Sequence, residues 1–273
     1  MFKAQQSNST IGSGFSLLGL IYHATVRELR KSHGNAVIGL LLNMLQVVIL
    51  VFTFYIMFGV LGLRGSAVRG DFLLYIMSGI FLFLTHTKAM SAVFGAEGPT
   101  SAMMKHAPMT TAISISAAAL SALYIQLLSM IVVLYLYHAA FTPITIYDWV
   151  GAMGMVFLSW FTGAAIGMVL LAAKPWAPDV VRVIHQIYSR ANMIASGKMF
   201  LANTLPHKML VLFNWNPLFH TIDQARGFTF INYNPHFSSW HYALYVGLAL
   251  MMIGLMGEFY TRQYASVSWG AKR

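Results

Sequence analysis

The chain has 273 residues, of which 58% are apolar and only 9% are charged, with a formal net charge of +10. Because soluble domains carry roughly 25% charged residues, this composition predicts an integral membrane protein, and the brief connections between its apolar runs exclude a separate soluble catalytic domain. The positive charge would suggest nucleic-acid binding in a soluble protein, but in a membrane protein basic residues gather beside the cytoplasmic face.

The first predicted element is an amphipathic helix at Phe15–Lys31. At about 100° per residue, the basic side chains of Arg27, Arg30 and Lys31 share one face, and apolar side chains lie opposite. Such a helix lies in the membrane interface with its cations toward headgroups or an acidic partner. Two interpretations stay open, namely a plain membrane anchor and a contact with a cytoplasmic subunit.

Long apolar runs predict the membrane-spanning helices, each of which needs roughly 20 mostly apolar residues. Five runs satisfy this length: Ala36–Leu63, Phe72–Phe94, Thr110–Ala140, Trp149–Ala173 and Trp240–Phe259. A sixth run, Val180–Ala202, contains polar and charged residues, but we count it as a span. The predicted fold is an all-α integral membrane protein with six transmembrane helices, an N-terminal interfacial helix and short re-entrant helices before the last span. Residues 1–35 form the tail and interface helix, and residues 36–273 form one transmembrane domain.

The basic residues set the predicted orientation. One side of the layout carries the larger set, which is Lys3, Arg27, Arg30, Lys31, Lys105, Lys174, Arg182, Arg262, Lys272 and Arg273. The other side carries Arg64, Arg69, Lys208 and Arg226. The positive-inside rule therefore places both termini in the cytoplasm, which requires an even number of spans.

The loop Gly95–Met109, between the second and third spans, contains Pro99 and Pro108. The first proline suits the opening turn of a helix and the second closes it, so we predict a short surface helix. Between the prolines lie adaptable apolar and polar side chains: Ser101, Met103, Met104, Lys105 and His106. Such a helix would fit a groove on another protein, although a bare connector could have the same composition.

Polar side chains form one broad stripe along the sixth predicted span: Arg182, His185, Gln186, Ser189, Asn192 and Ser196. Polar groups inside a membrane usually face the bundle interior or a cavity. The stripe either lines a path for an anionic or hydroxyl-rich cargo, or it forms hydrogen bonds between helices. Arg190 and Lys198 fall away from the stripe, so the sequence predicts no continuous basic path.

The stretch Asn203–Pro235 is apolar but is interrupted by three prolines, so it is too broken to cross a bilayer. Irregular backbone survives at membrane depth only where protein or a water-filled cavity covers it. We therefore predict short re-entrant or interfacial helices on the outer side, next to something polar. Trp215 and Phe219 are candidates to stack against sugar rings.

Signatures of enzymes are missing from the sequence. It contains no phosphate-binding glycine loop, no H-E-x-x-H zinc motif and no cysteine. His220 and Asp223 are three residues apart, but no serine nucleophile accompanies them. The chain is therefore predicted to be no enzyme, with no metal site and no cofactor of its own.

Three stretches resemble the ABC-2 type permeases of capsular polysaccharide exporters: VRELRKSHGNAVIGLLL, GPTSAMMKHAPM and NPLFHTIDQARGF. The resemblance covers nearly the whole chain from Phe15. Its most specific part is the third stretch, where four residues stand at family-like positions: Asn216, Pro217, Leu218 and Arg226. The chain departs from the family pattern because it lacks a proline early in the first span.

The resemblance implies a subunit that pairs with a second copy of itself and with a cytoplasmic ABC ATPase, which would bind ATP-Mg. The loop at Ser101–Ala107 would be the coupling helix that docks on the ATPase, and the N-terminal helix would help to admit lipid-linked polysaccharide. The periplasmic re-entrant helices would contain Asn216, Pro217, Asp223 and Arg226. A periplasmic adaptor and an outer-membrane export channel are further implied partners, and nucleic acid is not.

The predicted function is that of the permease subunit of an ATP-driven exporter of lipid-linked capsular or other cell-surface polysaccharide, located in the bacterial inner membrane. An ABC-2 exporter of a drug, a lipid or a teichoic-type polymer is an alternative, and so is an intramembrane enzyme or scaffold. The residues predicted to line the substrate pathway are Arg182, His185, Gln186, Ser189, Asn192, Trp215 and Phe219.

Overall fold

The computed structural model describes residues 10–31, 36–60, 62, 70–98 and 110–264, and no strand occurs among them. A short 3-10 helix lies at Ala202–Thr204. In chain order the α-helices are α1 (Thr10–Lys31), α2 (Ala36–Val60), α3 (Phe72–Phe94), α4 (Thr111–Ala140), α5 (Trp149–Ala173), α6 (Pro178–Ala195), α7 (His207–Phe213), α8 (Pro217–Thr229) and α9 (Trp240–Tyr264).

Five of the described helices, α2, α3, α4, α5 and α9, are long and apolar enough to cross a membrane. They contain 23 to 30 residues each, and at 1.5 Å per residue even the shortest exceeds the roughly 30 Å of bilayer hydrocarbon. These are the five strong spans of the sequence, and they identify a membrane protein. The sixth predicted span is not among them: α6 has 18 residues and ends at Ala195 instead of Ala202, and Asp179, Arg182 and Arg190 make it too polar to belong to this set.

Side-chain caps fix where three of the spanning helices begin. The side-chain oxygens of Asp71, Thr110 and Asp148 accept hydrogen bonds from backbone N–H groups two or three residues further on, at 2.8, 3.3 and 3.0 Å. Each bond satisfies one of the N–H groups that a helix leaves without a partner at its start. The starts of α3, α4 and α5 are therefore encoded locally.

Helices α3 and α5 form the centre of the bundle, and both are buried along most of their length. Gly163 and Gly167 of α5 lie directly against the backbone of His86 and Met90 of α3, where a side chain would collide with main-chain atoms. The hydroxyl of Ser159 donates to a carbonyl of α3 at 2.9 Å. Small residues thus let the two central helices approach closely, which is the usual way helices associate in membranes.

Helix α2 lies at the periphery and is exposed around most of its circumference. On its narrow buried face, Asn43 donates to the hydroxyl of Ser129 at 2.8 Å and accepts from the amide of Gln126 at 3.0 Å. A buried polar group in a membrane protein is costly unless it is paired. This amide cluster therefore fixes the rotation of α2 against α4.

One end of the bundle holds α1 and the last turns of α9. Ala24 of α1 packs against Ile113 and Ala117 of α4, and Thr111 donates a hydrogen bond of 2.6 Å to the carboxylate of Glu258 on α9. We call this the α1 end. The opposite end, which holds α7 and α8, is the α8 end.

Helix α1 contains the predicted amphipathic helix and begins five residues before it, at Thr10. Its apolar side chains Leu20 and Ile21 join the contact with α4, whereas Arg27 and Arg30 are exposed. The side chains of Arg27 and Arg30 are therefore not buried in the bundle.

The broken segment folds into two short helices with very different surroundings. In α8, 10 of the 13 residues are buried, and the helix packs against α3, α5 and α9. In α7 only Leu210 and Phe213 are buried. Protein therefore covers α8, which is the condition for placing such a polar helix beside membrane-spanning ones.

Candidate functional site

A groove of about 680 Å³ runs between α2 and α6, with α3 as its floor. Its α2 wall is mainly apolar. Gln46 is the polar residue of that wall, and the α3 and α6 surfaces carry further polar side chains: Thr87, Lys88, Ser91, Ser189 and Arg190. We call this space the α2–α6 groove.

A second cavity, of about 460 Å³, adjoins the groove and is enclosed by α1, α2, α3 and α4. The two spaces share Gln46, Lys88 and Ser91. The inner cavity is also lined by Glu28 of α1 and by the amide cluster of Asn43. Lys88 therefore lies where this cavity at the α1 end meets the α2–α6 groove.

The cations of the α2–α6 groove are available to bind an anion. Neither Lys88 nor Arg190 makes a hydrogen bond or a salt bridge with any residue whose side chain the structure describes. Arg182, by contrast, forms an exposed pair with Asp179 at 3.6 Å. Charged side chains within a membrane cost about 2.5–3.5 kcal/mol on insertion scales, so they usually mark the path of an ion or a substrate.

Hydrogen bonds attach the wall helix α6 to α3. The imidazole of His185 bonds to Ser91 at 3.1 Å and stacks on Phe94. Tyr188 bonds through its hydroxyl to Nε2 of His86 at 3.0 Å. His86 is fully buried, and its Nδ1 atom lies 3.1–3.2 Å from two oxygens of α5. These bonds hold α6 beside the two central helices.

The two ends of α6 are held differently. Near its start, Val181 belongs to an apolar cluster with Met90 and Leu170. Near its end, the amide of Asn216 donates to Asn192 at 2.7 Å and to the carbonyl of Ala195. The oxygen of the same amide caps α8 by accepting from a backbone N–H at 3.1 Å, and Pro217 occupies the first helical position, which suits proline.

The structure divides the polar stripe that the sequence predicts along α6. Ser189 lines the α2–α6 groove. His185 and Asn192 instead form hydrogen bonds with the bundle. Arg182 and Gln186 are exposed on the outer side of the helix. Two of the six stripe residues, His185 and Asn192, therefore serve the second of the two interpretations, hydrogen bonding between helices.

The aromatic pair predicted to stack on sugars is also divided. Trp215 is 79% exposed. Phe219 is fully buried in a cluster with Leu210 and Phe213, so its ring has no face free for a sugar. The periodicity of the sequence could not show this, because burial of α8 depends on helices far away in the chain.

Arg226 clamps the segment that follows α6. It is fully buried, and its guanidinium donates to the carbonyls of Gly197 at 2.8 Å, Lys198 at 2.6 Å and Phe200 at 2.7 Å. Its face lies 4.2 Å from the ring centre of Tyr75. A cation is favourable at the carbonyl end of a helix. Arg226 thus has a structural role in this protein.

Asp223, one turn before Arg226, binds three groups around α8. Its carboxylate accepts from the backbone N–H of Ala202 at 3.2 Å, from the hydroxyl of Tyr233 at 2.5 Å and from Ser238 at 2.7 Å. Burial, together with the neighbouring carboxylate, raises the pKa of Tyr233, so the phenol stays a donor. This network joins the loops before and after α8.

His220, on the same helix, bridges two loops in its neutral form. Its Nδ1 atom accepts from the backbone N–H of Ser239 at 3.0 Å, so its Nε2–H donates to the carbonyl of Asn214 at 2.8 Å. Burial lowers the pKa of His220, which favours the neutral ring that this pair of bonds needs.

The predicted ATPase-coupling residues lie outside the described residues: Ser101, Met103, Met104, Lys105 and His106. Both flanks of their loop are described. Before it, the backbone N–H of Glu97 donates to Ser114 at 3.1 Å. After it, Thr111 bonds to Glu258. Of the described residues on either side of the loop, Glu97 is therefore bonded to α4, and Thr111 to α9.

The sequence matches no protein-family model and no curated protein. Within the described part of the chain, no group of three or more side chains could hold a metal ion. The functional argument therefore depends on the chemistry of the α2–α6 groove. Lys88 was not singled out by the sequence pattern, and Arg190 was placed off the polar stripe. The signal that the sequence offered for Lys88 was its position as a single cation within an apolar span.

Proposed function

We propose that this protein is the membrane-spanning subunit of an exporter that moves an anionic, lipid-linked polysaccharide across the bacterial inner membrane. A separate cytoplasmic ABC ATPase supplies the energy, and the subunit acts as a homodimer. The observation that carries the proposal is the pair of cations in the α2–α6 groove, Lys88 and Arg190, whose side chains have no hydrogen-bonding or ionic partner among the described residues.

The groove suits a molecule with an anionic head and an apolar tail. Leu42, Leu45 and Ile49 make its α2 wall apolar, while Lys88 and Arg190 lie on the floor and on the opposite wall. Guanidinium and ammonium groups form strong charge-assisted hydrogen bonds with phosphates and carboxylates. A lipid-linked acidic glycan has both chemical parts, because its lipid chain matches the apolar wall and its anionic groups match the cations.

The flanks of the 99–109 loop support coupling to an ATPase. Through Ser114, Thr111 and Glu258, the residues next to this loop are bonded to α4 and α9. Helix α9 in turn packs along α5, at the centre of the bundle. A partner that moves the loop would therefore act on spanning helices and not on a free connector. Rigid shifts of packed helices are a common form of such transitions.

Deleting the gene and measuring acidic polysaccharide on the cell surface tests the proposal. We expect the deletion to abolish the polymer and the unaltered gene to restore it. The double variant Lys88→Gln, Arg190→Gln should restore less than a tenth, while Lys208→Gln, which removes an exposed cation on α7, should restore all of it. Full restoration by the double variant would contradict the proposal. A deletion strain that keeps its polysaccharide would favour a drug, lipid or teichoic-type cargo.

Binding can be measured without transport, because the chain contains no cysteine. Ser91→Cys places a single thiol in the groove, where a neutral maleimide can label it in phosphatidylcholine nanodiscs. Dodecyl phosphate should slow this labelling at least tenfold, whereas dodecanol should not. The protection should vanish in the Lys88→Gln, Arg190→Gln background. Equal protection by the phosphate and the alcohol would show that the groove does not recognise anions.

A further inference from the structure

Lys198 is a buried cation that hydrogen-bonds to no oxygen in the part of the chain that the structure describes. It is only 3% exposed. Its Nζ atom lies 3.6 Å from the ring centre of Phe83 and 5.4 Å from that of Phe54. Among the described residues, the ammonium group donates one hydrogen bond, to the sulfur of Met193 at 3.2 Å. Rings and thioethers are weak partners for an ammonium ion in comparison with a phosphate or a carboxylate.

The same side chains separate Lys198 from the α2–α6 groove. Phe83 and Met193 both line the groove, and both contact the ammonium group from the other side. One layer of side chains therefore lies between the groove and the buried charge. Methionine is flexible and changes rotamer easily, so Met193 can leave this layer without movement of a helix.

The backbone holds Lys198 in a fixed direction. Gly197 has φ = +78°, a conformation that other residues rarely adopt, and a side chain there would meet the ring of Phe219 at 2.8 Å. The carbonyl of Lys198 itself accepts the 2.6 Å hydrogen bond from Arg226. The turn after α6 is thus fixed by two independent features, and the lysine side chain points back toward α2 and α3.

Lys198 lies further along the bundle than the two groove cations. A side chain at Gly79 would meet its backbone at 2.9 Å. The ammonium group of Lys198 lies on the ring of Phe83, which is five residues before Lys88 on α3, or roughly 7.5 Å toward the α8 end at 1.5 Å per residue. The cations thus follow the direction from the α1 end to the α8 end, with Lys88 and Arg190 first and Lys198 next.

We propose that Lys198 is a second anion-binding site on the transport path, closed in this structure by Phe83 and Met193. This inference rests on the proposed function. An anionic group of the cargo first binds Lys88 and Arg190 in the open groove. It reaches Lys198 once Met193 and Phe83 turn aside, and it then replaces their weak contacts with the ammonium group.

Closure by these two side chains is tested by cysteine labelling. In Lys198→Cys, the single thiol should react slowly with the anionic reagent 2-sulfonatoethyl methanethiosulfonate. Adding Met193→Ala or Phe83→Ala should raise the rate at least tenfold. Leu134→Ala, which removes a large side chain at an unrelated cavity, should leave the rate unchanged. Unchanged rates with both Met193→Ala and Phe83→Ala would overturn the closure.

The transport role is tested in the complementation assay. Lys198→Gln should restore less than a tenth of the surface polymer and Lys198→Arg most of it, while Lys198→Gln should still show protection of Ser91→Cys by dodecyl phosphate. Those results would place the defect after loading of the groove and would exclude misfolding. If Lys198→Gln restores all of the surface polymer while the double variant Lys88→Gln, Arg190→Gln does not, the second site is overturned and the proposed function is not. Full restoration by every variant would overturn the proposed function itself.

Discussion

Replacing Arg226 with methionine should strongly destabilise the protein. Methionine fills a similar length with apolar atoms, so the packing against Tyr75 is largely kept. The change removes the donors to the carbonyls of Gly197, Lys198 and Phe200. Because Arg226 and its bonds to Gly197 and Lys198 are buried, solvent does not replace the lost donors at these two carbonyls. The variant therefore measures what the clamp contributes.

The expected magnitude follows from the three bonds. Leaving a buried acceptor without a donor costs about 1–3 kcal/mol. The carbonyl of Gly197 keeps a backbone hydrogen bond from Phe200 at 3.3 Å, so two acceptors lose their donor, at a cost of about 2–6 kcal/mol by this rule. Removing the guanidinium also removes the cost of keeping a charge away from water, which is several kcal/mol. We therefore expect the lower limit, about 2 kcal/mol, which is roughly a 30-fold change in the unfolding equilibrium.

The free energy of unfolding can be measured by titration with sodium dodecyl sulfate in mixed micelles. Arg262→Met is the matched control, since Arg262 is exposed on α9 and lies 5.7 Å from the ring centre of Phe259. It should change the free energy by less than about 1 kcal/mol. If Arg226→Met costs no more than Arg262→Met, the three hydrogen bonds do not hold the segment after α6.

Three further substitutions test the surroundings of α8. Gly197→Ala should lower the free energy of unfolding by about 1–3 kcal/mol because of its positive φ, whereas Gly154→Ala, in open space on α5, should raise it by up to about 1 kcal/mol. If Gly154→Ala also lowered the free energy of unfolding, the loss in Gly197→Ala could not be assigned to the positive φ of Gly197. His220 should make the wild type less stable as the pH falls below about 6.5, because its lowered pKa favours the neutral ring in the folded state. The free energy of unfolding of His220→Gln should vary less with pH than that of the wild type. An equal dependence on pH in the two proteins would disprove this role of His220. Tyr233→Phe removes the 2.5 Å hydrogen bond to Asp223 and should cost about 1.5–3 kcal/mol in the same titration; a loss below about 0.5 kcal/mol would show that the carboxylate finds another donor.

The spanning helices were predictable from local sequence. Phe72–Phe94 and Trp149–Ala173 have the same bounds in the prediction and in the structure. Long apolar runs and capping residues act within one segment, so their effects can be recognised there. The two short helices of the broken segment were predictable for a similar reason, because the prolines and asparagines that bound them are local signals.

The groove was not predictable in this way. Lys88 and Arg190 are about a hundred residues apart in the chain, and only the packing of α3 against α6 brings them to one space. A single helical projection placed Arg190 off the polar stripe of α6 and Arg182 on it. In the structure α6 turns its hydrogen-bonding face toward α3, which leaves Arg182 outside. The rotation of a peripheral helix depends on its neighbours, and no neighbour is visible in a single segment.

The two ends of α6, which forms one wall of the groove, are attached by different kinds of contact. The start of the helix is held by apolar packing at Val181, whereas its end is held by an amide pair, Asn192 with Asn216. Apolar packing has no preferred direction, but the amide pair is either formed or broken. Because the same Asn216 also caps α8, loss of its amide would loosen the end of α6 and the start of α8 at once. One side chain thus couples a wall of the groove to the α8 end of the bundle.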